Sequence, residues 1–226
     1  MIKPSLLSLD LLNPWFITET LLVEILEQIV AEISAVSQKG RIADFGCGDF
    51  RFSRLFLPLA SEFYGIDNWL ASKYHEKVPT GVEFYWASVD EAPFADNSMD
   101  MVIFTEAIEH VASPKKALSE IKRVLVPGGI FVLSSPFMFF VHGAPNDFRR
   151  YTILGLDRLL KHSGFRLTEF YEVGDFVSTM LNSFATYYYF NNKHRRLARA
   201  CVRIATSRFW HGAATAYTVP LDGCNR

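Results

Sequence analysis

Cysteine is scarce in this chain: three residues, Cys47, Cys201 and Cys224, scattered over 226 positions. Such an odd, widely spaced set makes neither a disulfide framework nor a cluster of thiolates for zinc, and it fits a reducing cytoplasm. Long apolar runs are missing too. No stretch is long and apolar enough to span a bilayer. No basic segment followed by an apolar one opens the chain, so no signal peptide is expected. Charge of one sign does not dominate either, since 23 Lys and Arg face 24 Asp and Glu for a formal net charge of −1. That balance gives no global case for a nucleic-acid partner.

What the chain has in quantity is apolar and aromatic surface, 50% and 15% of residues. A large core is therefore within reach, wholesale disorder is not expected, and the length suits one generous domain better than two. The charge is unevenly spread. Residues 1–150 carry 13 basic against 19 acidic side chains, and 151–226 carry 10 against 5.

Residues 18–36 place Leu22, Leu26, Ile29 and Ile33 on one face at helical spacing, with Thr18 as expected N-cap. Beyond them, short apolar runs alternate with helix-like ones. Strands are expected at 41–45, 62–67, 82–87, 100–104 and 129–134, and helices near 51–59, 69–76, 106–111 and 114–125. A further helix closes at Gly164, followed by a strand in "RLTEFYEV" and a last one in "AYTVPL". This alternation predicts right-handed βαβ crossovers, hence a doubly wound, mostly parallel α/β sheet with helices on both faces.

The first strand ends in Asp44-Phe-Gly46-Cys-Gly48-Asp49. Glycines there let the backbone turn sharply and let a ligand approach it. The second strand ends in Asp67, about twenty residues on, where a carboxylate can accept both hydroxyls of a ribose. Dinucleotide and S-adenosylmethionine sites share this arrangement. The dinucleotide fingerprint wants a third glycine to hold a pyrophosphate, but Phe50 and Arg51 stand where small residues would. An acid ahead of the first glycine is awkward beside a pyrophosphate and suits a sulfonium bearing an ammonium. Charge therefore favours S-adenosylmethionine over NAD.

These residues resemble the class I S-adenosylmethionine-dependent methyltransferases. "ADFGCGDF", "YGID", "ASVDEAPFADNSMDMVIFTEAIEHV" and "LSEIKRVLVPGGIFVLSSP" are similar, in order, to that family's successive motifs over about residues 41–135. The chain also resembles a subgroup of the methyltransferase type 11 group through a His-x(4)-Asp-Phe-x-Arg-Tyr-Thr signature beginning at His142. That resemblance implies a Rossmann-like seven-stranded sheet with a helical insertion before the last strand. The expected organisation is one domain over 1–226: helical cover 1–40, cofactor-binding core 41–174, insertion 175–212, last strand and tail 213–226. It further implies that Asp44, Gly46, Cys47 and Gly48 line the methionine end, Asp67 and Asn68 the ribose, and Ser88 and Val89 the adenine. Thr105, Glu106 and His110 would border the cofactor. The subgroup association implies cell-surface polysaccharide or lipid-linked glycan chemistry, with a small-molecule, glycan or lipid-linked acceptor.

A hydroxyl acceptor needs a base, and in-line transfer needs positioning. Candidates follow strands four and five: Glu106, Glu109 and His110 after the fourth, and His142, Asp147, Arg149 and Tyr151 after the fifth. His142 is the first choice for the base because imidazole titrates near neutrality, with Asp147 as its orienting carboxylate. An equal alternative is that these loop residues fix the turn. No metal ligand is assigned.

Residues 193–209 contain no acid and segregate Arg195, Arg196, Arg199 and Arg203 from Leu197, Cys201, Ile204, Ala205 and Phe209 on a helix. Such a face either lies on anionic lipid at the inner side of a membrane or covers the sheet or a second copy of the chain. The location expected is the cytoplasm. Two rivals to methyl transfer stand: an NAD-linked Rossmann oxidoreductase, and a non-catalytic S-adenosylmethionine-binding module.

Overall fold

A computed structural model describes residues 16–68, 78–190, 197, 200–201 and 215–220. Trp15, the helix expected at 69–76 and all of 193–209 except Leu197, Ala200 and Cys201 lie outside the described residues. The chain divides into two compact units. One comprises Met1–Ile25, Met138–Phe140 and Tyr171–Ala214, the other Leu26–Phe137, Val141–Phe170 and Thr215–Arg226.

The second unit is organised by parallel strands. These are β1 (Gly40–Phe45), β2 (Ala60–Asp67), β3 (Val82–Trp86), β4 (Met99–Phe104) and β5 (Leu125–Ser134). β1 pairs in parallel with both β2 and β4, β2 with β3, and β4 with β5. β6 (Glu169–Glu172) and β7 (Thr215–Pro220) complete the order β3-β2-β1-β4-β5-β7-β6, and β7 runs antiparallel to β5. The order reverses between β1 and β4. A crevice at the carboxyl ends of these two strands is where open α/β sheets bind ligands.

The central strands β1, β4 and β5 are buried on both faces, as crossover helices require. Phe45, Ile66, Val102, Phe104, Phe131 and Leu133 sit at 3% exposure or less in one continuous core. α3 (Pro114–Val124) contributes Ala117, Leu118, Ile121 and Val124, a stripe at helical spacing, and all four are buried. Its start carries Pro114 and its last turn Lys122 and Arg123, as the helix macrodipole favours. α4 (Ile153–His162) is capped by Thr152, whose Oγ1 accepts from Gly155 N at 3.1 Å. It stops at Gly164 as expected, with Phe165 N donating to Leu160 O at 3.0 Å.

Several boundaries differ from the sequence reading. The helix expected over 51–59 is only α2 (Ser53–Phe56) plus a 3-10 turn, Leu57–Leu59. Pro58 removes a donor and ends the α-helical ladder. The stretch 106–111 forms a single 3-10 turn, Ile108–His110. β5 begins at Leu125, directly where α3 ends, and β6 is shorter than expected. α1 (Phe16–Val36) already includes Thr18, which therefore does not cap it. The expected face of α1 is buried at Leu22, Leu26, Ile29 and Ile33.

In the first unit, α5 (Phe176–Phe190) starts at a capping box: Asp175 Oδ1 accepts from Ser178 N and from Ser178 Oγ, both at 2.7 Å. Ala185 packs with Leu21, Leu181 and Cys201. Among the described residues, no helix is long and apolar enough to cross a membrane.

Candidate functional site

β1 releases the chain into a loop in which Gly46 (φ 71°), Gly48 (φ 50°) and Phe50 (φ 60°) are all left-handed. Glycine takes this conformation freely, whereas for phenylalanine it costs about 1–2 kcal/mol. Burial offsets the cost at Phe50, which is 1% exposed and meets Phe84 edge-on at 5.9 Å between ring centroids. Room for the ring comes from Gly65 of β2: a Cβ there would stand 2.5 Å from Phe50 Cε1 and 3.0 Å from Cys47 Sγ. Phe50 thus packs beneath the loop, on β2 and β3. Gly46 N and Cys47 N both donate to Ile66 O, at 2.8 and 3.1 Å, which ties the loop to the end of β2.

The loop is stapled to the second acid as well, for Gly48 N donates to Asp67 Oδ2 at 3.0 Å. A Cβ on Gly48 would meet nothing within 4 Å, so the main chain there is open to a ligand. Asp44 is 2% exposed. Ser53 Oγ donates to its Oδ2, while Oδ1 has no hydrogen-bond partner. Burial pushes the Asp44 carboxyl up to about 7, against the lowering effect of Ser53 and with a further rise from the charge of Asp67. Burial likewise pushes the Cys47 thiol up, so this cysteine packs and does not react. Asn68 is exposed beside Asp67.

After β3, Ser88 Oγ donates to Asp90 Oδ1, and Val89 packs against the core. Asp90, not assigned from the sequence, supplies a carboxylate two residues from the serine named for the adenine. A serine followed two residues later by an acid was the available signal.

The fourth and fifth strands bring the remaining candidates together. Thr105 is buried. Glu106 has a positive φ of 48°, held because its N–H reaches Ser134 O at 3.2 Å and Ser134 Oγ at 3.0 Å. Ser134 Oγ donates in turn to Glu106 Oε1 at 2.8 Å. Desolvation pushes Glu106 up to about 7, with Ser134 and then Arg150 pulling it down. Glu109 is fully buried, neither of its oxygens has a hydrogen-bond partner, and desolvation together with Glu106 raises its pKa well above the ordinary range.

His110 and His142 meet edge to face, their Nε2 atoms 3.1 Å apart. His110 Nδ1 lies 2.6 Å from Asn146 O. Asp147 accepts from His142 N at 2.8 Å and lies 3.4 Å from His142 Nδ1. Its main partner is Arg150, whose Nη1 and Nη2 reach Oδ1 and Oδ2 at 2.5 and 2.8 Å and hold the carboxyl down at about 2. Arg149 serves elsewhere, donating to Val111 O and Ala112 O at 2.7 and 3.0 Å. Of this adjacent pair it is therefore Arg150, which the signature contains and the sequence candidates did not include, that reaches Asp147. Burial raises the Tyr151 phenol, whose hydroxyl has no hydrogen-bond partner. Asn146, Ser53 and Ser134 were not anticipated, because each acts through folded proximity that spacing does not encode.

The donor set fits an adenosyl cofactor carrying a sulfonium and an ammonium. Asp44 offers a buried acceptor oxygen without a partner, Gly48 an open main chain, and Asp67 a fastened carboxylate. Comparison with known proteins agrees. The family described as "Methyltransferase domain" matches residues 43–133. A probable S-adenosylmethionine-dependent methyltransferase of Mycolicibacterium smegmatis is 31% identical over 96 residues, covering 42% of this chain and 37% of that one. The O-methyltransferase rstn1 of Aspergillus nomiae is 30% identical over 156 residues, 60% of this chain and 68% of that one. A solved structure of Burkholderia thailandensis 1,6-didemethyltoxoflavin-N1-methyltransferase, with 1,6-didemethyltoxoflavin and S-adenosylhomocysteine bound, superposes with a TM-score of 0.58 at 16% identity, covering 88% and 78% of the two chains. The chain spans about two fifths of the length of several curated relatives it matches. The chain belongs to the S-adenosylmethionine-dependent methyltransferases of class I.

Proposed function

We propose that this chain moves a methyl group from S-adenosylmethionine to a nucleophile presented at the loops that follow β4 and β5. The observation that carries the reading is Asp44, a buried carboxylate whose Oδ1 has no partner beside a glycine loop open to a ligand. When bound, the cofactor supplies a methyl group on a sulfonium, which leaves as a thioether while the acceptor bond forms. Asp44 and the loop from Gly46 to Gly48 hold the amino-acid end, Asp67 with Asn68 the ribose, and Ser88, Val89 and Asp90 the base. Thr105, Glu106 and His110 border the reacting end.

A hydroxyl acceptor must lose a proton as it attacks. His142 is the proposed base, and Asp147 fixes it through the His142 backbone N–H and the imidazole Nδ1. Arg150 keeps Asp147 ionised and in place. Arg149 and Tyr151 shape the loop. The acceptor class proposed is a small molecule, glycan or lipid-linked sugar, methylated in the cytoplasm or at the inner face of a membrane touched through 193–209. Assembly through that segment with a second copy is the alternative use of the same surface.

Calorimetric titration with S-adenosylhomocysteine and, separately, with NADH tests the assignment. Binding of the first and not the second is expected. NADH binding alone would replace methyl transfer with the oxidoreductase reading. Binding of S-adenosylhomocysteine without transfer to any acceptor class would leave a cofactor-binding module.

A further inference from the structure

Glu109, His110 and His142 each bring one ligand-type atom to within 4.8 Å of the others. Protein chemistry has two ways of placing two imidazole nitrogens 3.1 Å apart: a shared proton or a shared cation. On His110 the choice is constrained. Its Nδ1 stands 2.6 Å from the carbonyl of Asn146, which only accepts, so Nδ1 carries a proton and, in the neutral ring, Nε2 presents a lone pair to His142. A proton on His142 Nε2 satisfies the two rings. It leaves Glu109 unexplained.

The Glu109 side chain is fully buried, and neither oxygen has a hydrogen-bond partner. Oε1 lies 3.7 Å from that same His110 Nε2. At 3.7 Å the contact is too long for a hydrogen bond, so this buried carboxyl is left unsatisfied beside the ring whether or not it carries a proton, a state that is rare in folded proteins. A dication resolves all three contacts at once. Two nitrogens each bound at ~2.0–2.1 Å in a tetrahedral site stand about 3.3 Å apart, close to the separation found here.

The surroundings are those of ligands held from behind. Metal-binding histidines usually give their other nitrogen to a carbonyl or carboxylate. His110 has Asn146 O, and His142 has Asp147 Oδ2 at 3.4 Å from its Nδ1, on a carboxylate that Arg150 holds in place. Phe148 N donates to Glu109 O at 2.9 Å, tying the loop that carries Asn146 and Asp147 to the ligand turn. Both imidazoles keep a solvent edge, with 15% and 17% of their side chains exposed, so one coordination position faces outward.

We propose that Glu109, His110 and His142 form a three-ligand site for a divalent first-row cation such as Zn2+, its open position available to an acceptor oxygen. An N2O set of this kind suits zinc and its neighbours better than magnesium or calcium, which prefer oxygen alone. The catalytic consequence rests on the proposed methyl transfer. With the cation in place, His142 is a ligand and not the base. An acceptor hydroxyl coordinated there loses its proton to solvent at lower pH. Its electron pair then forms the bond to the methyl carbon, and the carbon–sulfur pair stays on sulfur.

The test uses the full chain, stripped with a chelator, dialysed and titrated with Zn2+ in the presence of a competing chromophoric chelator, and in parallel with Co2+. One equivalent per chain is expected, with the intense visible bands of four-coordinate Co2+. His142→Ala should weaken binding by more than the roughly 10–100-fold that losing an outer partner costs, and Asp147→Asn by about that much. Glu109→Gln, nearly the same shape without the charge, reports the same loss if an alanine variant fails to fold. Equal binding by wild type and Glu109→Gln, or less than one equivalent, overturns the site and leaves a proton-sharing imidazole pair. Titrating the same wild-type sample with S-adenosylhomocysteine separates the two readings. Cofactor binding without Zn2+ removes only the cation site, and Zn2+ binding without the cofactor removes only the proposed methyl transfer.

Discussion

The contact between Phe50 and Gly65 makes a prediction with a change of sign. Gly65 lies in β2 between Asp44 of β1 and Phe84 of β3, and an added methyl would stand 2.5 and 2.9 Å from two atoms of the Phe50 ring. That ring is 1% exposed and cannot swing away. Overpacking of this kind costs about 1–3 kcal/mol, so Gly65→Ala should destabilise the protein by that amount. Phe50→Gly removes the ring at ~3–5 kcal/mol of burial and cavity cost. It recovers ~1–2 kcal/mol because glycine takes the left-handed φ freely, for a net loss of about 1–4 kcal/mol.

In the Phe50→Gly background the alanine methyl enters vacated space. The clash with the ring is gone, only the 3.0 Å contact with the Cys47 sulfur is left to relax, and alanine in a strand loses less backbone entropy than glycine by ~0.5–1 kcal/mol. Gly65→Ala should then stabilise, and the double-mutant cycle should show a coupling of about 2–4 kcal/mol in favour of the pair. Urea unfolding of the four proteins, read as midpoints at constant m, measures every leg. The packing account of Phe50 fails if Gly65→Ala is neutral or stabilising in the wild-type background. It fails equally if the two substitutions add.

Two further predictions concern the charged groups. Asp44, raised from an ordinary 3.8 to about 7, holds its proton in the free fold through that interval, so the protein loses stability from this group as pH climbs across it. A ligand ammonium prefers the ionised form. The affinity for S-adenosylhomocysteine should therefore rise by up to about tenfold per pH unit towards about 7 and then level, and calorimetry on Asp44→Asn should show that slope abolished. Arg150→Ala leaves Asp147, its side chain 1% exposed, without its cation. Because Arg150 itself is 23% exposed, the loss should be ~2 kcal/mol, below the 3–5 kcal/mol of enclosed pairs. Thermal unfolding should record it as a midpoint about 4–8 °C lower, and a fall under ~1 °C would show the clamp to be ornamental.

The parallel strands and the face of α1 were legible because burial enforces period and length locally. Gly164 was legible because a helix stop needs only its own residues. α2 misled: its apolar residues continue at helical spacing, but Pro58 cuts the ladder, and the proline was in plain sight. Whether Phe50 supports the loop or crowds the pocket could not be decided from sequence, since its ring is accommodated by an absence, the missing side chain of Gly65, at a separation of fifteen residues. Arg149 and Arg150 are chemically identical neighbours, and only the path of the loop decides which one reaches Asp147. Glu109 and His142 meet across thirty-three residues, and no spacing rule joins them.

Two buried acids share one property and differ in another, and the difference separates their guests. Asp44 and Glu109 both keep carboxylate oxygens out of water with no hydrogen-bond partner, a state that folded proteins retain only at a cost. Asp44 is surrounded by backbone: a glycine loop, a serine hydroxyl and open space beyond Gly48. Among the described residues, no group of metal-ligating side chains gathers around Asp44, so the complement is an organic cation with N–H donors. Glu109 instead faces the His110 ring at 3.7 Å with a second imidazole within reach, one oxygen and two nitrogens of the kind first-row metal ions take. The first acid sits at the end of the strand that begins the cofactor loop, the second at the end of β4 beside the loop that follows β5. On this division, one orphaned carboxylate identifies the donor side of the reaction and the other the acceptor side. Neutralising Asp44 should therefore cost cofactor affinity without touching Zn2+ binding, and neutralising Glu109 should do the reverse.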